Sequence, residues 1–293
     1  LVVQTEQLGD IVLSLTFLYN LSESEKDSEK FLLIDEKYLS GLFSGNFPFN
    51  LIPINKSKYR FDFFYRIRLL NNLRKLKLKH SINISQGRGV INDELTINSR
   101  SRFTSCGNVL SDYLPHRLLI KNNNGYSFIL ESKSQNELIR LQEMFKNISK
   151  HDYKTISDTQ SLLLKTKPRI PLADNYIVIA PSTSDKKKNW TKENFKSLVE
   201  KISKKFPVYL LGTSSQSEYL SFISDGMESV NNLAGNVTLA ECLYLIKHSS
   251  LFIGLDSGFT HIAEFFSKPY IAIIGGGDFG RFFPYPSAYA HKY

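Results

Sequence analysis

The residues best suited to chemistry follow an apolar run that ends in Asp-Ser-Gly. In LFIGLDSGFTHIAEFF, residues 251–266, the start is typical of a buried strand and the remainder of a helix. Asp256 and Ser257 suit the N-cap of that helix, and Gly258 allows close approach of a ligand. Unpaired amides at a helix start bind anions, so a phosphate fits there, with His261 one turn further on as a donor. The alternative is an ordinary capped helix with a packed histidine.

A second loop of similar chemistry is PSTSDKKKNW, residues 181–190. Small hydroxyls, among them Thr183 and Ser184, and three consecutive lysines supply the donors and charges that a pyrophosphate needs. The alternative is a solvated basic turn. Because two such loops follow strands of one predicted sheet, a nucleotide-diphosphate site is favoured over chance surface charge.

Two further loops carry polar residues. GTSSQSE, residues 212–218, offers Gln216 and Glu218 as partners for a ribose, although polar residues commonly follow strands. The glycine-rich GGGDFGRF, residues 275–282, matches neither the dinucleotide-binding pattern nor the P-loop. It is typical of a loop at the edge of a ligand site, where Arg281 either binds an anion or is an ordinary surface arginine.

Near the start of the chain, QLGDIVLSL places Asp10 at the beginning of a predicted helix. An aspartate there is most often an N-cap. The functional alternative is a general base, because a carboxylate at the positive end of a helix is expected to keep a low pKa, stay ionised and accept a hydroxyl proton.

These loops need a framework of alternating strands and helices, which predicts parallel sheets that bind ligands at the carboxyl ends of their strands. The length of 293 residues and the polar, Pro-interrupted stretch 154–175 predict two domains, 1–167 and 168–293. Thr238 and Glu241 predict a capping box. Strands are predicted at 31–34, 81–85, 176–182, within 207–215, at 251–255 and within 269–277, and helices at 11–21, 138–145, 191–206, from 217 to 223, from 238 and at 259–266.

The net charge of +9 favours an anionic partner, although a solvated lysine-rich face is the alternative. Nucleic acid is disfavoured as that partner because no aromatic RNA-binding strand, zinc finger or recognition helix is evident. Cys106 and Cys242 match no metal-ligand spacing and predict neither a disulfide nor a metal site, as expected for the cytoplasm. No apolar run approaches the roughly 18 residues of a membrane span.

Taken together, these segments resemble glycosyltransferase family 9, the lipopolysaccharide heptosyltransferases. GDIVL, residues 9–13, is similar to the first turn of that family, and the loop 181–190 is similar to its basic loop. The run 231–263 is similar to its most recognisable segment, with an Asp-Ser/Thr-Gly-x-x-His core. The similarity is close over 176–285 and, before that, is confined mainly to the first turn.

The resemblance implies a GT-B architecture of two Rossmann-like domains, with acceptor bound to the first and nucleotide-sugar to the second. It implies inverting, metal-independent transfer of heptose from ADP-heptose to the lipid A and Kdo inner core, with no cofactor besides the donor substrate. Asp10 is implied as the base. The implied donor-binding residues are Thr183, Ser184, Lys188, Asp256, Ser257, Gly258 and His261, to which the ribose argument adds Glu218.

Two departures from the family pattern leave the sugar open: PSTSD replaces a PG-S start, and GGGDFGRFFPY stands where many members carry an FGPTDP-like loop. A GT-B enzyme of other activity, such as a nucleotide-sugar epimerase, is therefore the alternative, followed by a nucleic-acid-binding protein. The expected partners are a nucleotide-sugar, an anionic glycolipid or glycan, and the inner face of the plasma membrane. Candidate contacts to an acidic glycolipid are Arg60, Arg66, Arg68, Arg88, Arg100 and Arg102.

Overall fold

The computed structural model describes residues 1–108, 123–154, 156–163, 165–275 and 279–286, with backbone alone at 156–158. These residues form two compact units. The first contains described residues of 1–40, 47–155 and 280–286, and the second those of 41–46 and 156–279.

The predicted domain boundary after residue 167 lies inside the second unit. Residues 156–163 belong to that unit, where the Ser44 amide donates to the Leu162 carbonyl at 2.9 Å and Phe43 forms an antiparallel bridge with Leu163. The polar stretch that resembles a linker in the sequence is therefore tied to the second unit by backbone hydrogen bonds.

The first unit is built on a parallel sheet with the order β3-β2-β1-β4-β5-β6. Its core joins Val3 and Leu33 of the sheet to Tyr59, Leu70 and Leu73 of the covering helices. The strands are β1 (Val2–Val3), β2 (Phe31–Asp35), β3 (Asn50–Ile54), β4 (His80–Asn83), β5 (Phe103–Gly107) and β6 (Phe128–Leu130), and the helices are α1 (Leu8–Ser24), α2 (Lys56–Phe61), α3 (Phe63–Lys75), α4 (Val90–Asn98) and α5 (Glu137–Ile148).

The second unit has a parallel sheet with the order β11-β10-β7-β8-β9. Ile179, Leu210 and Ile253 of the sheet pack against Phe195 and Val199. The strands are β7 (Ile177–Ala180), β8 (Val208–Leu210), β9 (Val230–Asn232), β10 (Leu251–Leu255) and β11 (Tyr270–Ile273), and the helices are α6 (Lys192–Ser203), α7 (Ser217–Ser224), α8 (Leu239–His248) and α9 (Gly258–Phe265).

The predicted strands and helices of the second unit are confirmed, including the capping box of Thr238 and Glu241 at the start of α8. In the first unit the sequence pattern identified α1, β2, β4 and α5 but not α2 to α4, β1, β3, β5 or β6. The helix α3 shows why: Phe63 and Phe64 are exposed although Leu69 and Leu73 of the same helix are buried, so its apolar residues do not form one buried stripe.

The structure also shows the surroundings of the two cysteines and the character of the helices, on which the sequence made predictions. Cys106 and Cys242 are free and buried, and burial raises the pKa of each thiol to about 12. Over the ranges that the structure describes, no helix combines the length and apolar character that crossing a bilayer requires.

Candidate functional site

The two loops predicted to bind anions emerge from neighbouring strands of the second sheet. Strands β7 and β10 pair in parallel, with Ala180 opposite Gly254. The loop 181–190 continues from β7, and Asp256 and Ser257 continue from β10. Because parallel strands end at the same edge, the structure brings the two loops together, as the sequence indicated.

An ion cluster joins these loops. The Lys188 ammonium donates to Asp256 Oδ2 at 2.8 Å, and His261 Nε2 lies 4.0 Å from Asp256 Oδ1. The side chains of Asp256 and His261 are 4% and 3% exposed, whereas Lys188 is 26% exposed. A buried carboxylate requires a compensating charge, which Lys188 supplies from a side chain that is itself only partly buried.

The start of α9 carries no side-chain cap. Ser257 occupies the N-cap position with φ −151°, but the predicted capping bond is absent. The Asp256 carboxylate is engaged by Lys188 instead, and the buried Ser257 Oγ has no hydrogen-bond partner in the described structure. Of the two candidates, Ser257 is therefore the N-cap residue, but its side chain makes no capping bond, so the first amides of α9 receive none from it and suit an anion.

Thr183 has a structural task within its loop. Its amide donates to Asn189 Oδ1 at 2.8 Å, and its hydroxyl donates to the Asp185 carbonyl at 2.7 Å. Asn189 is thus an organising residue that the sequence argument missed, although an asparagine that closes a turn is a recognised signal. The neighbouring Ser184 is exposed and makes no side-chain hydrogen bond of this kind among the described residues.

The third loop, residues 212–218, is held by a side-chain hydrogen bond to its own backbone. Gln216 Oε1 accepts from the Thr213 amide at 2.8 Å, so this side chain is used to cap the short turn. Glu218 lies exposed in the first turn of α7. No contact among the described residues joins Glu218 to the Lys188 cluster, and its role as a ribose partner stays a prediction.

Asp10 lies in the first turn of α1 but is not its cap. Gln7 is the N-cap residue, and the Asp10 carboxylate accepts a hydrogen bond from the Gln7 amide. The prediction of Asp10 as N-cap is therefore wrong by three positions. Arg281 Nη2 donates to Asp10 Oδ1 at 3.4 Å, and Arg281 Nε donates to Gln86 Oε1.

The pKa of Asp10 also differs from the sequence-based expectation. Burial raises its pKa to about 7, and the nearby carboxylates of Glu137 and Glu6 add to the rise, while Arg281 opposes it. The prediction of a low pKa is wrong because loss of solvation outweighs the helix end and the arginine. A carboxylate that titrates near neutrality is suited to accept a proton in catalysis.

Arg281 and its neighbours were assigned by sequence order to the second domain, but residues 280–286 belong to the first unit. The Arg281 carbonyl accepts from the Glu137 amide at 2.9 Å, which fixes this segment beside Asp10. Nothing in the local sequence indicates this placement. The preceding residues 276–278 of the glycine-rich loop lie outside the described residues.

The arginines proposed for an acidic acceptor divide into two groups. Arg88 is 1% exposed, pairs with Asp93 at 2.9 Å and donates to Asn123, so its candidacy is overturned by a buried structural network. Arg66 is paired with Glu94. The second group is exposed and consists of Arg60, Arg68, Arg100 and Arg102.

Among the described residues, no group of three or more His, Cys, Asp or Glu side chains is arranged to hold a metal ion.

Comparison with known families gives a match over the part of the chain that contains the ion cluster. The model described as glycosyltransferase family 9 (heptosyltransferase) matches residues 132–291, more than half of the chain. Lipopolysaccharide heptosyltransferase 3 of Escherichia coli is 30% identical over 112 residues, which are 36% of this chain. That match spans 33% of the E. coli protein, so the chain covers about a third of the length of this relative.

Two longer similarities extend over nearly the whole chain. Lipopolysaccharide heptosyltransferase 1 of Campylobacter coli is 25% identical over 298 aligned residues, covering 94% of this chain and 83% of that protein. The structure of E. coli heptosyltransferase WaaC with ADP-2-deoxy-2-fluoro heptose superposes with a TM-score of 0.76 at 17% identity, covering 98% of this chain and 90% of WaaC. With two parallel sheets and this structural similarity, the predicted GT-B fold class is confirmed.

Proposed function

We propose, from the premise that the chain belongs to glycosyltransferase family 9, that it transfers a sugar from a nucleotide diphosphate to a lipopolysaccharide core or related glycan. The observation that carries the proposal is the ion cluster of Lys188, Asp256 and His261 at the uncapped start of α9. ADP-heptose is the donor we favour, because heptosyltransferase names recur among the relatives and WaaC was solved with an ADP-heptose analogue.

In this proposal the donor diphosphate lies at the start of α9. The first amides of that helix and the Lys188 ammonium would neutralise the charge that develops on the leaving diphosphate. Asp256 holds Lys188 by a 2.8 Å ion pair, so the ammonium is fixed before the donor arrives. We therefore propose that protein groups alone assist departure of the diphosphate, without a metal ion and without a cofactor besides the donor.

The first unit supplies the base. Asp10, with a pKa raised to about 7, takes the proton of the acceptor hydroxyl as the acceptor oxygen bonds to the anomeric carbon and the bond to the diphosphate breaks. A single displacement of this kind inverts the configuration at that carbon. The positive charge of the chain favours an anionic glycan acceptor, and a cytoplasmic location next to the membrane belongs to the same proposal.

The experiment is a thermal-shift panel of ADP-, UDP-, GDP- and CMP-sugars, because a ligand that binds only the native state raises apparent stability. ADP-heptose is expected to give the largest shift, and Lys188→Met to reduce that shift strongly. Lys187→Met is the matched control, since Lys187 is an exposed neighbour in the same turn. If no nucleotide-sugar stabilises the wild type, or if both lysine variants respond alike, the proposed donor site is wrong. Conversion of a nucleotide-sugar without an acceptor would favour an epimerase instead.

A further inference from the structure

The corner between α2 and α3, residues 56–68, exposes large apolar side chains at its surface. Phe61, Phe63 and Phe64 are 80%, 67% and 82% exposed, and Ile67 is 41% exposed. Phe63 and Phe64 contact each other edge to face, with ring centroids 5.9 Å apart. Exposed apolar groups that cluster in this way mark interaction sites more often than isolated ones do.

These side chains are exposed because the core takes other residues of the same helices. Tyr59, Leu69, Leu70 and Leu73 fill the interior of the first unit. The spacing of Phe63 and Phe64 to Ile67 places all three on one face of α3, away from that core. The helix therefore has two apolar faces, of which one is packed and the other is open.

Positive charge surrounds the exposed rings. Residues 56–68 contain five Lys or Arg and one Asp, a net charge of +4. Lys58, Arg60 and Arg68 are exposed and form no ion pair among the described residues. The single acidic residue, Asp62, caps α3 by accepting from the Tyr65 amide at 2.9 Å. Phenylalanines ringed by cations are suited to an anionic lipid surface, in which apolar insertion and electrostatic attraction act together.

The corner lies at the carboxyl ends of the strands of the first sheet, the end at which Asp10 also lies. It follows β3 at its carboxyl end, and the Lys56 ammonium donates at 2.6 Å to the carbonyl of Thr5, in the loop that leads into α1. A surface to which the α2–α3 corner binds would therefore lie next to the carboxyl ends of these strands in the first unit.

We infer that the α2–α3 corner docks the protein on an anionic lipid bilayer, with Phe61, Phe63 and Phe64 inserted and Lys58, Arg60 and Arg68 facing the headgroups. A second copy of the chain is a poorer occupant, because a two-fold contact would place one +4 corner against another. The binding step does not depend on the proposed function; only its use, the presentation of a lipid-anchored acceptor to the Asp10 edge, rests on it.

The test is flotation with vesicles of phosphatidylcholine alone or of an equal mixture with phosphatidylglycerol. The wild type is expected to bind the mixed vesicles at low salt, and about tenfold less in high salt or to neutral vesicles. The triple variant Phe61→Ser, Phe63→Ser, Phe64→Ser is expected to bind at least about tenfold more weakly. The variant Lys58→Gln, Arg60→Gln, Arg68→Gln should also lose binding to mixed vesicles.

Phe128→Ser is the matched control, because Phe128 is 52% exposed on β6, at the opposite edge of the same sheet. It should bind vesicles like the wild type. Unchanged thermal unfolding and donor response of the triple variant would show that its fold is intact. Asp10→Asn should also bind vesicles normally, which separates docking from the proposed transfer reaction.

Four results would overturn the inference. They are absence of binding to mixed vesicles, equal binding to neutral ones, retention of binding by the triple variant, and a dimer in light scattering that the triple variant dissociates while vesicle binding is unaffected. A further arm compares a membrane-embedded acceptor with its delipidated saccharide. Docking predicts that the triple variant loses activity on the embedded acceptor alone; an equal loss on both would assign the corner to saccharide binding.

Discussion

Asp10 and Asp256 occupy comparable places in the two units, each following a strand of a parallel sheet and lying at a helix start, yet their surroundings differ. Asp256 is 4% exposed and receives the Lys188 ammonium at 2.8 Å. Asp10 is 16% exposed, has Arg281 no closer than 3.4 Å, and is near the carboxylates of Glu137 and Glu6.

The difference shows how neighbours assign roles to equivalent carboxylates. A short ion pair joins the Asp256 carboxylate to the Lys188 ammonium and so fixes the position of that cation. Burial with a weaker cationic partner raises the pKa of the other to about 7, so it can exchange a proton near neutral pH. One aspartate is thereby suited to hold a charged group in place and the other to accept a proton.

The largest effect is expected from Asp10→Asn. The amide oxygen can still accept from the Gln7 amide, but the side chain can no longer take a proton, so kcat should fall about a thousandfold. Donor-induced thermal stabilisation should be unchanged. Steady-state transfer assays with ADP-heptose measure kcat.

Asp35→Asn is the control for that variant, because Asp35 is a buried carboxylate that ends β2 in the same sheet. It should retain most of the wild-type kcat. Turnover of Asp10→Asn within a few-fold of the wild type would remove Asp10 from the mechanism.

A smaller effect is expected from Lys188→Met. Loss of a charge-assisted contact should weaken donor binding by about 10- to 100-fold, and Asp256 would be left buried without its cation, which lowers stability. Adding Asp256→Asn should recover stability but not affinity. Calorimetric titration with ADP and thermal unfolding of both variants separate the two effects. Full recovery of affinity in the double variant would mean that Lys188 serves only to neutralise Asp256.

The smallest effect concerns pH. Activity that needs ionised Asp10 should rise with pH and level off above about 7, the value to which burial raises its pKa. Arg281 favours the ionised carboxylate, so Arg281→Gln should raise that pKa further and move the rising limb of kcat/KM to higher pH. The variant should therefore lose about three- to tenfold more activity below neutrality than above it, and Arg281→Lys less. An equal loss at every pH would show that Arg281 acts other than through Asp10.

Much of the second unit was predictable, because its signals are local. The run of apolar residues before Asp256 and the capping box of Thr238 depend on neighbours a few positions apart, and the structure confirms the elements they predict. The first unit was less predictable since helices such as α3 expose apolar side chains that a single-stripe pattern assigns to the interior.

The residues of the candidate site differ in the same way, because some of their contacts could be predicted from the sequence and others could not. Lys188, Asp256 and His261 could be grouped from the sequence because parallel strands end at one edge. Arg281 could not be joined to Asp10, since 271 residues separate them and no periodicity reports such a contact.

The sequence by itself determined two parallel α/β units and the loops that carry polar side chains, because strand and helix periodicity, capping residues and turn composition act over short distances along the chain. Only the tertiary structure decided which charges meet. The pairing of Lys188 with Asp256, the approach of Arg281 to Asp10 and the raised pKa of Asp10 depend on burial and on through-space distance, which segments far apart in sequence set together.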